Sequence, residues 1–231
     1  MDVGMARVSA LRVSVTCIRY FLLMPAKSPA DPESRSFTAS ARRAQIVAAT
    51  IETIAELGYR QASFARIAER AGLSSTRLIS YHFAGKNDLI RAVLADVYTA
   101  MGQFMAERMR DQPDARSALR AYIRALVEFI SAHGTQMQVL MAIFLDFRDQ
   151  DDSRSYDSDT ERDVLGHVQD ILRAGQRSGE FRAFDTYVMA TTIQRAVDAL
   201  PFLLQTRSDL DLGAYGEELV TLFDLATRKQ A

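Results

Sequence analysis

The stretch that decides the fold is FARIAERAGLSSTRLISYHF, Phe64 to Phe83, divided by Gly72. Two short helices crossing steeply through a tight turn impose a particular residue pattern. The turn needs a residue that accepts positive φ, and Gly72 supplies it. The first helix needs a small side chain where the second passes, and Ala68 stands four residues earlier. Buried contacts are expected at Ile67, Ala71, Leu73, Leu78 and Tyr81. Ser74, Ser75, Thr76, Arg77 and Ser80 then face outward, and all five form hydrogen bonds. This pattern predicts a helix-turn-helix; a plain helical hairpin is the other reading of the same residues. A helix of this kind fits the major groove of DNA, where base edges carry distinguishable donors and acceptors. Arg77 is expected to pair with guanine, while the serines and Thr76 position the helix. Ser63, as an N-cap, would bring backbone N–H groups near a phosphate, and Lys86 marks a second phosphate contact.

Working outward, the apolar period is helical almost everywhere and nowhere alternates like a strand for long. A first helix is expected at Ser40–Leu57, with Val47, Ile51 and Ile54 on one face and Gly58 as its stop. After the two short helices, a long one carries Asp88 in its first turn and runs to about Arg110. Pro113 suits the first turn of the next, which reaches His133. Thr135–Asp149 is apolar on most sides (Met137, Met141, Phe144 and Phe147 among others), which predicts a buried helix. Helices at Asp159–Arg177, Asp185–Thr206 and Leu212–Lys229 complete an all-α chain of about nine helices. Gly179 stops the first of these three, and Pro201 should kink the second or cut it short.

The chain has 231 residues, 48% of them apolar, enough for a sizeable core. Cys17 is the only cysteine, which excludes an internal disulfide and a thiolate zinc site and suits a reducing cytoplasm. His82, His133 and His167 form no close ligand pair. Residues 37–86 carry seven basic and three acidic groups, net +4, whereas residues 87–231 carry 16 and 23, net −7. A basic block ahead of an acidic body places the polyanion contact in the first part, and Arg43 joins the expected DNA contacts. The first 36 residues contain no membrane span, because Arg19 breaks the apolar run Val13–Met24. They are expected to be a flexible leader, and translation starting at Met24 would explain residues 1–23 as an over-long gene. Asp149, Asp151, Asp152, Asp157 and Asp159 lack the glycine and terminal glutamate of an EF-hand loop, which predicts a solvated acidic loop over Gln150–Ser158. No nucleophile elbow, phosphate loop or metal-ligand pair points to catalysis, and no cofactor is expected.

Residues 38–98 resemble the DNA-binding domain of the tetracycline-repressor (TetR/AcrR) family of bacterial regulators. The resemblance lies in Ile46-Val47-Ala48-Ala49, Ala55-Glu56-Leu57-Gly58-Tyr59, Ser63 with Ile67-Ala68, Ala71-Gly72-Leu73-Ser74, Tyr81-His82-Phe83, Lys86 and Asp88-Leu89. It implies phosphate contacts by Ser63, Tyr81, His82 and Lys86, and base reading by the helix Ser74–Ser80. Three features depart from the family pattern: Ala62 in place of a threonine, Ile79-Ser80 in place of an extra aromatic residue, and one added residue between Gly72 and Lys86. The organisation so implied is a leader over 1–37, a DNA-binding domain over 38–98 and a ligand-binding and dimerisation domain over 99–231. Phe104, Tyr122, Phe129, Met137, Met141, Phe144, Leu172 and Met189 are the expected pocket for an apolar or amphipathic effector, or simply core. Ile193, Val197, Leu200, Phe202, Leu203, Leu219, Leu222 and Phe223 are the expected face of a homodimer pairing its last two helices. Such a dimer would read a palindromic operator in double-stranded DNA with no membrane involved. The competing readings are a helical binding or interaction protein without specific DNA binding, and a helical enzyme.

Overall fold

The computed structural model describes residues 33–146, 158–207 and 209–229. The leader up to residue 32, Phe147, the acidic stretch 150–157 and the gene-start expectation at Met24 lie outside the described residues. The described chain is all-helical, with an isolated backbone bridge between Phe181 and Arg228. In chain order the helices are α1 (Glu33–Leu57), α2 (Phe64–Arg70), α3 (Arg77–His82), α4 (Lys86–Arg108) and α5 (Ala115–Ala132). They continue with α6 (Gly134–Asp146), α7 (Ser158–Ser178), α8 (Thr186–Asp198), α9 (Leu200–Thr206) and α10 (Leu212–Thr227). The nine expected helices are all present, and the helix expected over Asp185–Thr206 is two, broken at Ala199. Pro201 stands in the first turn of α9, where its missing N–H costs nothing.

Local chemistry explains most of the ends. Gly58 (φ 82°) and Gly179 (φ 80°) end α1 and α7 in the left-handed region. Asp114, Asp185 and Asp211 cap α5, α8 and α10 by accepting backbone N–H groups. Several boundaries differ from expectation: α3 begins at Arg77, leaving Ser74 and Ser75 in the turn ahead of it, and α10 ends at Thr227 rather than Lys229. Helix α1 begins at Glu33 rather than Ser40, because no breaker lies between Glu33 and Gly58. Pro113 stands one residue ahead of the Asp114 cap rather than inside α5.

The apolar residues gather in two cores. The first takes Ile46, Ile54, Ile67, Ile79, Phe83, Leu89, Ile90 and Val93 from α1–α4. The second takes Tyr122, Phe129, Ile171, Leu172, Ile193 and Phe223 from α5, α7, α8 and α10. Helix α6 serves both, giving Val139 and Ile143 to the first and Met137 to the second. Beyond its apolar contacts, Gln138 donates to the Ala55 carbonyl at 3.2 Å and Asp146 pairs with Arg60 at 2.8 Å. Helix α6 is therefore not buried on all sides: Phe144 is 50% exposed and Leu145 is exposed as well. Its apolar surplus exceeds what a helix lying across two cores can cover.

Candidate nucleic-acid interface

The turn at Gly72 is a helix C-terminus closed by its own backbone. Gly72 (φ 63°) donates to Glu69 O at 3.1 Å and Leu73 to Ala68 O at 2.8 Å, the paired bonds of a Schellman motif. Ahead of it, Ser63 caps α2 by accepting the Arg66 N–H, and Gln45 of α1 donates to the Ala71 carbonyl at 2.7 Å. Ser75, not Ser74, receives the Arg77 N–H at 3.2 Å at the start of α3. The glycine thus ends α2 and turns the chain towards α3, which stands on the first core.

Its orientation about its own axis corrects the expected register. Ile79 is 0% exposed and Phe83 is buried, whereas Tyr81 is 81% exposed and Leu78 is exposed too. Residues four apart share a helix face, so Ile79 and Phe83 anchor α3 together. The added residue between Gly72 and Lys86 accounts for this: one residue turns an α-helix by about 100°, enough to swap Leu78 for Ile79. Ile67 and Ala71 are buried as expected, and Leu73 is half-buried. Sequence reasoning missed Ile79 as an anchor, although the lengthened interval was a visible signal for it.

The outward face carries Ser74, Ser75, Thr76, Arg77, Leu78, Ser80 and Tyr81, all exposed. Arg77 and Arg66 are exposed and make no ion pair among the described residues. Other cations of the domain are engaged. Arg70 pairs with Glu56 and with Glu52, and Arg60 with Asp146. Arg43 donates to the His82 carbonyl at 2.6 Å and lies 4.2 Å over the Phe83 ring, tying α1 to the end of α3. Lys86 donates to the Tyr59 carbonyl at 3.0 Å, with its ammonium 4.4 Å from the Tyr59 ring. Burial there pulls the Lys86 ammonium below the usual lysine range. Half-buried His82 lies edge-on to Tyr81. Its imidazole is pushed below the usual histidine range, first by desolvation and then by Arg43 and Arg42. Asp88 accepts the Ala84 N–H at 3.0 Å, so a carboxylate already sits at the N-terminus of α4.

The expected pocket residues divide. Tyr122, Phe129, Met137 and Leu172 are buried in the second core, with Phe104 and Met189 packed against it. Met141 is half-buried outside that set, and Phe144 faces outward from α6. Of the expected dimer face, Ile193, Val197, Leu200, Leu219 and Phe223 are consumed by the chain's own core. Phe202 and Leu222 remain exposed, joined by Leu225, Tyr187 and Val188.

Comparison with known proteins places this geometry. Residues 46–93 match the family described as bacterial regulatory proteins, tetR family. The chain is 38% identical over 81 residues to the HTH-type transcriptional regulator BetI of Escherichia coli O45:K1, which is 35% of this chain and 41% of the relative. It is 33% identical over 105 residues to BetI of Ectopseudomonas mendocina, 45% of this chain and 53% of the relative. The chain thus spans about half the length of the curated relatives it matches, or less. Among solved structures, FadR from Bacillus subtilis in complex with stearoyl-CoA superposes with a TM-score of 0.66 at 24% identity, over 78% of this chain and 96% of that one. A tetR-family regulatory protein from Rhodococcus RHA1 gives 0.69 at 18%, over 82% and 98%. The ketosteroid transcriptional regulator KstR2 of Mycobacterium tuberculosis gives 0.65 at 19%, over 82% and 96%. These structural likenesses extend the fold beyond the matched N-terminal segment.

Proposed function

We infer that this chain, whose N-terminal helices belong to the tetR family of bacterial regulatory proteins, is a DNA-binding transcriptional repressor released by a small-molecule effector. The observation that carries the reading is α3: anchored by Ile79 and Phe83, it turns a hydrogen-bonding, cation-bearing face to solvent. Arg77 reads a guanine, Leu78 meets a thymine methyl, and Ser74, Ser75, Thr76 and Ser80 set the register. Tyr81, His82 and Ser63 lie where the flanking phosphates pass. Lys86 and Arg43 act chiefly by holding α3 and α4 to α1, since their charged groups already have partners within the fold.

A division near residue 98 separates the DNA-binding part from the ligand-binding part, with α6 bridging them. Two copies pair through α8–α10, using Phe202, Leu222, Leu225, Tyr187 and Val188 rather than the residues buried in each chain. Such a dimer places two α3 helices about one DNA turn apart and requires a palindromic operator. The effector is apolar or amphipathic, in line with the stearoyl-CoA held by the FadR relative, and enters the core lined by Phe104, Tyr122, Phe129, Leu172 and Met189. The protein acts in the cytoplasm, where its operator is; no helix among the described residues is long and apolar enough to cross a membrane.

A gel shift on DNA flanking the gene, repeated across a salt series, tests the reading. Retardation that needs a palindrome and falls steeply with salt supports it. Equal retardation of any DNA indicates an architectural role, and none overturns DNA binding.

A further inference from the structure

The second core holds a buried polar network where α5, α7 and α8 meet. There the Tyr122 hydroxyl donates to Gln194 Oε1 at 2.9 Å, and Gln194 Nε2 donates to Asp198 Oδ1 at 2.8 Å. Gln194 is 7% exposed, yet these two bonds use one N–H and one lone pair of a group that has two of each. The His167 ring lies 5.8 Å from that of Tyr122, and burial holds its imidazole below the usual range, hence neutral. One turn before Gln194, on the same face of α8, Thr191 Oγ1 is buried with no hydrogen-bond partner.

Half-buried Thr191, with its hydroxyl shut off from solvent, breaks the habit of the chain's buried threonines. Thr50, Thr53 and Thr227 each donate to the carbonyl one turn back, at 2.6–2.7 Å. Thr191 makes no such bond to the Tyr187 carbonyl. A buried hydroxyl left without a partner is costly, and helix α8 offers it an easy one. Its persistence unpaired, one turn from a half-used carboxamide, marks a set of groups prepared for an outside partner. The charged side chain this network touches is a carboxylate, Asp198, whose other oxygen pairs with Arg195 at 2.9 Å. Burial pushes the Asp198 carboxyl above the usual carboxylate range, so a second carboxylate brought there would bear the same desolvation cost.

We propose that Thr191, Gln194, His167 and Tyr122 form the polar end of the effector cavity and receive an uncharged hydrogen-bonding group of the ligand, such as an amide, ester or hydroxyl. The apolar remainder of the ligand lies along Leu172, Phe129 and Met189. This rests on the regulator reading above and adds to it the chemistry of the ligand.

The test uses the full chain and three probes with one tail: decanamide, 1-decanol and decanoate. Binding is followed by calorimetry and by release of fluorescent operator DNA. The amide and the alcohol are expected to bind about tenfold tighter than decanoate, the worth of one well-made hydrogen bond. Gln194→Leu and Thr191→Val should each erase that preference while the alcohol still binds, and Thr191→Val should melt no lower than the parent chain. Equal affinities, tightest binding of decanoate, or a preference untouched by both substitutions overturns the assignment and leaves the regulator reading intact. Failure of every probe to bind, with operator binding preserved, overturns both the effector cavity and this assignment.

Discussion

The two cores solve opposite problems. The first is apolar apart from two buried hydroxyls, Thr50 and Thr53, which are satisfied by their own helix. It has nothing inside to offer a ligand, so its chemistry sits on the surface, on the exposed face of α3. The second buries Gln194, an unpaired threonine hydroxyl and a neutral imidazole among its apolar side chains. Its chemistry points inward. A rigid, fully satisfied core suits a part that must present side chains in a fixed register to a groove. A core that retains unspent polar capacity suits a part that must change its contacts when something enters.

This contrast can be broken from either side. The largest effect is expected at Ile79. Ile79→Ala should cost about 2–5 kcal/mol in denaturant unfolding and remove operator retardation, whereas Leu78→Ala should barely alter stability and weaken only operator binding. The reverse ranking would return α3 to the register first read from the sequence. Next comes Arg77→Ala, expected to cost about 1–3 kcal/mol in operator affinity and to relax discrimination at one base pair, with an unchanged melting temperature.

On the other side of the comparison, the α5–α10 contact depends on charge. Asp224 pairs bidentately with Arg116 and accepts from Arg120 at 3.0 Å, and Arg116 together with Arg120 draws its carboxyl down from 3.8 to about 2. A carboxyl with a depressed folded pKa adds stability that is complete above its unfolded value and lost as pH falls towards the folded one. Acid titration should therefore weaken the fold between about pH 4 and 2. Asp224→Asn should remove up to ~2 kcal/mol and flatten that limb, less to the extent that the half-exposed arginines are screened by water. The smallest effect belongs to His82. Its imidazole is neutral near pH 7 in the free protein, and an approaching phosphate would favour the protonated form. Operator affinity should rise as pH falls below neutrality, and His82→Gln should abolish the slope while leaving affinity at pH 8 almost unchanged.

The first 36 residues after Thr38 show how far a sequence can be read. Gly58, Ser63, Ala68 and Gly72 act through backbone conformation and local bonds, and each stands in the structure where its residue type demanded. Gly175 is a contrasting case: a side chain there would run into the Phe181 ring, a contact no local pattern announces. The expected dimer face was harder still to read, since an apolar stripe looks alike whether it packs on its own chain or on another. Ile193 and Phe223 turned inward, and Phe202 and Leu222 were left outside.

What the sequence alone determined is the helical course of the chain, most of the helix ends and the glycine turn, because caps, stops and apolar period act over distances of one or two helical turns. Tertiary structure decided which face of α3 is anchored, which cations are already partnered, and where Tyr122 meets His167 and Gln194. These depend on the rotation of helices about their axes and on contacts between residues tens of positions apart, to which a one-dimensional pattern is blind.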